Sequence, residues 1–285
     1  MKKQVNSILI PVDFTENTSV ALSKAMDFMK ENDKESVIHL LHVHHIKTGG
    51  VFSYLKNLFT GYTRQRINSE LKESDAQLAE LKAMIERAHK DIKVTCSTIF
   101  GQSVQDTLVS KASALHPDII IVGKKSHHSF FPFLNTVHPH RLAMITGIPV
   151  LMAKPGSLHN EIKTVVIPIG KTFPGNKLQV LWALKNKLKL RIVLTAFRND
   201  EEETKQLLLY TFRMLKSQFS NPVSYEMLEG DNKAKALLKY CNKVGADLLV
   251  VNPGLETRVG SLISSHISDI IPTGSKTQVL AVTPG

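Results

Sequence analysis

Residues 118–153, DIIIVGKKSHHSFFPFLNTVHPHRLAMITGIPVLMA, decide the fold. The stretch opens on an unbroken apolar run, Ile119-Ile120-Ile121-Val122, that ends at Gly123. It closes on a second run, Pro149-Val150-Leu151-Met152. A short strand with only apolar side chains has two dry faces, the condition inside a parallel sheet covered by helices on both sides. In such sheets ligands bind beyond the carboxyl ends of the strands, where loops meet helix N-termini. Gly123 falls at that end. The loop after it carries His127, His128, Phe130, Phe131 and Phe133, and this is where binding or chemistry is expected.

Outward from this stretch the pattern recurs. Residues 7–12 read as a first strand that stops at Asp13; Thr15 or Asn17 can cap the helix that follows, with Val20, Ala21, Ala25, Phe28 and Met29 at helical spacing. Residues 37–44, VIHLLHVH, read as a second strand, and residues 47–62, with Gly49, Gly50 and Gly61, as a mobile, lid-like insertion. A long amphipathic helix is expected over 64–90, a third strand over 92–100, and a helix over 104–115 ahead of the His116-Pro117 stop. Five strands separated by helices predict a doubly wound parallel α/β sheet.

The pattern then starts again. Val165-Val166-Ile167-Pro168-Ile169 repeats Ile8-Leu9-Ile10-Pro11-Val12 at an offset of 157 residues. Three later landmarks share an offset of 129: Gly101 with Gly230, Asp118 with Asp247, and Val150-Leu151 with Val279-Leu280. The difference must lie between the first strand and Gly101, in the 47–62 insertion and part of the long helix. We therefore expect two tandem five-stranded α/β domains, 1–154 and 161–285, joined by the Pro/Gly-containing linker KPGSLHNE.

Composition bounds the rest. Apolar content of 42% and charged content of 21% over 285 residues describe a globular chain with ample core. No run approaches the length of a membrane helix, and the start reads as a strand rather than a signal peptide, so no membrane association is expected. Cys96 and Cys241 give neither a disulfide framework nor metal-ligand spacing, which fits a cytoplasmic protein. The net charge of +11 is spread along helical stretches, as in Lys185, Lys187 and Lys189, without an Arg-rich tract or aromatic interleaving. A solvated basic surface is the expectation, with a general attraction for anions and no nucleic-acid partner.

With the repeat in view, the chain resembles the universal stress protein family in its tandem form. The residues that carry the resemblance are Ile8 to Phe14 (ILIPVDF) with Thr15-Glu16-Asn17, Leu40-Leu41-His42-Val43, Pro117 to Gly123, and Ile148-Pro149-Val150-Leu151. The resemblance implies an adenine-nucleotide-hydrolase-like fold in each domain. It also implies an intramolecular pseudo-dimer in which Val150-Leu151-Met152-Ala153 lies antiparallel to Val279-Leu280-Ala281-Val282, removing two exposed edges. Nucleotide-binding members hold ATP with a Gly-x2-Gly-x9-Gly-Ser/Thr loop, whose glycines let backbone amides close on phosphates at a helix N-terminus. An overlay places Gly123 on the first glycine, Ser126 on the second, and Thr136-Val137 on the Gly-Ser pair. Asp13 would face the nucleoside and the Val43 backbone would meet adenine. In the second domain Gly170 replaces the aspartate, and Asn252, Leu255, Ser265 and His266 stand at the motif positions, which implies a poor nucleotide site.

Several residues have two readings. Asp13 is either ligand-facing or a helix cap. The Phe-rich loop is more simply a set of side chains filling the phosphate site, or a partner surface, than a stacking platform. His42, His44, His127, His128, His138 and His140 are dense, yet no carboxylate or cysteine completes a metal spacing, and no metal site is expected. No nucleophile elbow, paired carboxylates or P-loop points to catalysis. The sequence therefore predicts a non-enzymatic stress-response binding or signalling protein, a pseudo-dimeric monomer or homodimer. Its first domain has at most a modified ATP site built from Asp13, Val43, Gly123, Ser126 and Thr136. One alternative is an interaction module without nucleotide, which docks a protein partner through the Phe/His loop. A more distant one is a weak ATPase.

Overall fold

The computed structural model describes residues 5–29, 36–45, 61–101, 103–124, 137–185, 189–253, 271–272 and 274–284. Residues 46–60 of the expected insertion lie outside these, while Gly61 and Tyr62, read as its end, open a helix instead. In chain order the elements are β1 (Ser7–Val12), α1 (Glu16–Met29), β2 (Ser36–His45), α2 (Gly61–Ala88), β3 (Ile92–Gly101), α3 (Val104–Leu115), β4 (Ile119–Gly123), α4 (Pro139–Thr146) and β5 (Val150–Ala153). A turn of 3₁₀ helix at Pro155–Ser157 leads to β6 (Thr164–Pro168), α5 (Gly175–Lys185), β7 (Arg191–Phe197), α6 (Glu202–Gln218), β8 (Val223–Leu228), α7 (Lys233–Val244), β9 (Leu248–Val251) and β10 (Gln278–Ala281).

The strands form one ten-stranded sheet in the order β3-β2-β1-β4-β5-β10-β9-β6-β7-β8. Each half follows the same parallel order, as the apolar runs require. The seam alone is antiparallel, with Val150 opposite Ala281, Leu151 opposite Leu280 and Met152 opposite Val279. Registers repeat at the offsets read from the sequence: Ile8 pairs with Ile119 and Val165 with Leu248, while Ile121 pairs with Leu151 and Val250 with Leu280.

A carboxylate explains one of the shared landmarks. Asp118 Oδ2 accepts the backbone N–H groups of Asn6 and Ser7 at 3.0 and 3.1 Å, and Asp247 Oδ2 accepts those of Lys163 and Thr164 at 3.0 and 2.8 Å. Each aspartate thus satisfies the donors that the first strand of its half leaves beyond the sheet. Capping repeats as well. Ser103 and Asn232 accept from the third residue of α3 and α7, and His116 and Gly245 end those helices in the left-handed region.

The α1/α5 face of the sheet carries one continuous apolar core, from Ile8, Ile38 and Val94 through Leu151 and Leu280 to Val165 and Ile192. The opposite face divides in two. There Met152 packs into the second half's cluster and Ala281 into the first's, so the seam strands exchange side chains. The linker is fixed to α1: Ser23 Oγ donates to the Leu158 carbonyl at 2.9 Å, and the buried Lys24 ammonium reaches Asn160 O at 2.5 Å and Asp27 at 3.1 Å.

His39 lies in the middle of β2 between two hydroxyls, Ser7 Oγ at 3.1 Å on β1 and Thr95 Oγ1 at 2.7 Å on β3. Burial, then the nearby Lys111 charge, hold its pKa below the ordinary histidine value. As pH falls below the unfolded value of ~6.5, the unfolded chain binds a proton that the folded chain refuses, so this contribution to stability is present at neutral pH and lost on acidification. Urea unfolding at several pH values should show His39→Gln with a shallower loss of stability than the parent between neutral pH and mild acid. Parallel profiles would exclude this role for His39.

Candidate functional site

The carboxyl ends of β1, β2 and β4 meet at one edge of the first half, and most of the described site residues are there. Asp13 follows the last residue of β1 and Phe14 turns the chain in the left-handed region, with φ 56°. Asp13 Oδ1 accepts from Thr15 N at 3.0 Å, Thr15 Oγ1 at 2.7 Å and Thr18 Oγ1 at 2.9 Å, while Oδ2 accepts from Asn17 Nδ2 at 2.8 Å. Thr15 Oγ1 in turn accepts the Asn17 N–H at 3.2 Å, the capping bond of α1. The cap of α1 is thus Thr15, one of the two sequence candidates; Asp13 holds that cap in place through the Thr15 N–H and hydroxyl, and its negative charge sits beside the helix N-terminus. Among the described residues Oδ1 has three donors and Oδ2 one.

Gly123 ends β4 directly beneath α1. A Cβ placed there would lie 1.9 Å from the Asn17 carbonyl oxygen, so the bare backbone is needed for α1 to seat on the sheet. Asp13 and Gly123 thus both touch Asn17. Val43, fully buried in β2 opposite Ile99, lies one strand further out. Ser126 and Thr136, and with them His127, His128, Phe130, Phe131 and Phe133, lie outside the described residues.

Sequence reasoning passed over Lys124. Its side chain is buried and its ammonium donates to the Val137 carbonyl at 3.3 Å, just ahead of α4. Gln105 of α3 reaches the same point, its Oε1 accepting the His138 N–H at 2.9 Å while its buried Nε2 has no partner among the described residues. Neither residue carried a signal, since Lys124 sat in an unpatterned loop and Gln105 in an ordinary helix. On the other face of the sheet, toward α1 and α2, Phe14, His42, His44 and Phe100 form a column of rings with successive centroids 4.7, 4.6 and 5.2 Å apart. His42 Nδ1 donates to the Val12 carbonyl at 2.8 Å, His44 Nε2 meets Ser74 of α2 at 2.9 Å, and burial lowers the His42 pKa. Among the described residues no group of three His, Cys, Asp or Glu side chains is placed to hold a metal.

The second half differs at the matching edge. Gly170 stands where Asp13 does, and the buried Lys177 ammonium donates to the Pro168 carbonyl at 2.6 Å. Ion pairs Lys171–Glu201, Arg198–Glu229 and Lys233–Asp200 link the loops around this edge. Asn252 is buried, while Leu255, Ser265 and His266 lie outside the described residues.

The neighbour at Gly123 is rigid backbone, so Gly123→Ala must displace α1. We expect a loss of about 2–3 kcal/mol in unfolding free energy, measured by urea denaturation. A loss near zero would contradict the close approach.

Residues 5–154 match the sequence profile of the universal stress protein family. No curated protein matches the chain. Among solved structures, a universal stress protein from Archaeoglobus fulgidus DSM 4304 aligns over 99% of this chain and 100% of its own, with a TM-score of 0.69 at 16% identity. A functionally unknown protein from Pseudomonas aeruginosa PAO1 aligns over 98% and 93%, at 17% identity and a TM-score of 0.51. The cytoplasmic domain of a prokaryotic cation chloride cotransporter aligns over 98% and 95%, at 13% identity and the same TM-score of 0.51. At these identities the structures speak for the fold alone; the profile, covering more than half of the sequence and the whole edge that holds Asp13, Val43 and Gly123, places this chain in the universal stress protein family.

Proposed function

We propose that the protein is a non-enzymatic stress-response binding protein built of two domains, 1–154 and 161–285, and that the first holds an adenine nucleotide in a modified site. The Val43 backbone takes the base, Asp13 Oδ2 takes a ribose hydroxyl, and Gly123, Ser126 and Thr136 lie along the phosphates. The observation that carries this reading is the pair of buried donors, Lys124 Nζ and Gln105 Nε2, brought to the start of α4. A fixed ammonium and a helix N-terminus together offset phosphate charge in place of the missing glycine amides. The site offers binding and orientation, with Asp13 held in place by four donors.

A second reading also has an observation behind it. Asp13 holds the Thr15 cap of α1 and Gly123 admits α1, so both residues serve the fold whether or not a nucleotide binds. An interaction module that works through the 125–136 loop without nucleotide would keep them too.

Isothermal titration with ATP and Mg²⁺ separates the two. We expect affinity near micromolar, ~8 kcal/mol, lost in Asp13→Ala and weakened in Lys124→Met, with circular dichroism confirming that both variants fold. Absence of heat together with an unshifted melting temperature at high ATP would reject nucleotide binding and leave the interaction module.

A further inference from the structure

The amino-terminal ends of β6, β7 and β8 enclose a groove of about 790 Å³. Three cations, Lys163, Lys189 and Arg191, line it with one carboxylate, Glu161; Ile162, Leu190 and Pro222 supply apolar surface beside the polar Thr164, Ser220 and Asn221. Lys189 and Arg191 are exposed, with no carboxylate in ion-pair range among the described residues. Among the described residues Lys163 pairs with Glu161 alone, at 3.6 Å, and both side chains are more than half exposed, a pairing that screens little of the charge. Lys276, outside the groove lining, is paired with Asp247 at 3.1 Å and is not counted with these charges.

Cations near helix C-termini are favourable anywhere, and that alone would be an ordinary solvated surface. Lys163 and Arg191 do not fit that account, because they belong to the strand starts. By the shared register, Ser7 opposite Val37 and Thr164 opposite Arg191, the first half has Asn6 and Val37 in their places and folds the same way. The charges are therefore a property of this groove and not a requirement of the sheet.

We propose that this groove docks an acidic segment of a partner protein, an extended peptide alternating carboxylate and apolar side chains. The cations attract and orient the carboxylates, and the apolar surface takes the intervening side chains. No aromatic ring lines the groove, so the base-stacking platform of a single-stranded nucleic-acid site is missing from it. The volume far exceeds that of a lone phosphate. This assignment is independent of nucleotide binding in the first half.

The test is fluorescence anisotropy on the full chain with three labelled probes: a short Glu/Leu peptide, its Gln/Leu counterpart, and a single-stranded oligonucleotide. The Glu/Leu peptide should bind in a salt-sensitive manner and the Gln/Leu peptide should not. Arg191→Glu should weaken binding by about tenfold or more, and Lys163→Glu/Arg191→Glu should abolish it. Lys93→Glu, on an exposed strand start of the first half at the other edge of the sheet, should leave it unchanged. The proposal is overturned by no binding, by equal weakening in Lys93→Glu and Arg191→Glu, or by the oligonucleotide displacing the peptide at lower concentration.

Discussion

The antiparallel ladder between β5 and β10 is the contact on which the rest of the molecule depends. It pairs three residues on each strand, and Leu151 and Leu280, both fully buried, meet at its centre. Without it each half would end in an open sheet edge of short, wholly apolar strands, the kind of edge that invites uncontrolled pairing. With it the apolar core on one face runs unbroken through both halves, and only β3 and β8 remain as outer strands. The ladder also fixes where functions sit. Because the halves run in opposite directions, the carboxyl ends of β1, β2 and β4 share one edge of the sheet with the amino ends of β6, β7 and β8. Asp13 and the basic groove therefore belong to the same edge.

Much of this was legible in the sequence for a simple reason: central strands buried on both faces must be apolar, and such runs recurring at two constant offsets leave few topologies. The offsets reappear as strand registers and as paired helix caps, Ser103 with Asn232 and His116 with Gly245. The role of Asp118 and Asp247 was not legible, although their match was. A carboxylate that satisfies N–H groups over 80 residues away in sequence gives no local signal. Buried lysines were hidden for the opposite reason. Lys24, Lys124, Lys154 and Lys177 read as surface charges, yet each is almost completely enclosed. Lys24, Lys124 and Lys177 place their ammonium groups on backbone carbonyls of distant segments, which only the folded chain brings near.

The site illustrates a different limit. Asp13 and Gly123 are residue types that a phosphate- or ribose-binding edge needs, and types that a tight strand-to-helix junction needs. A carboxylate at a helix N-terminus is stabilising with or without a ligand, and a glycine admits a close backbone whether that backbone is a helix or a phosphate cradle. The motif alone cannot separate these uses. The hydrogen bonds show the structural use: among the described residues three donors on Asp13 Oδ1 and one on Oδ2 all come from the turn that opens α1.

Comparison of the two halves shows which parts of the edge the fold itself demands. Gly170 in the second half removes the carboxylate, yet α5 still forms, so a carboxylate that holds the cap residue is one solution among several. Lys177 donates to the Pro168 carbonyl there, and three ion pairs between neighbouring loops stand around the edge. Exposed pairs of that kind add little stability individually, but they draw together loops that a ligand would have to part. The first half differs at this edge: it has a carboxylate, a column of rings and two buried donors at a helix start. Two copies of one topology thus differ at this edge in chemistry and not in fold.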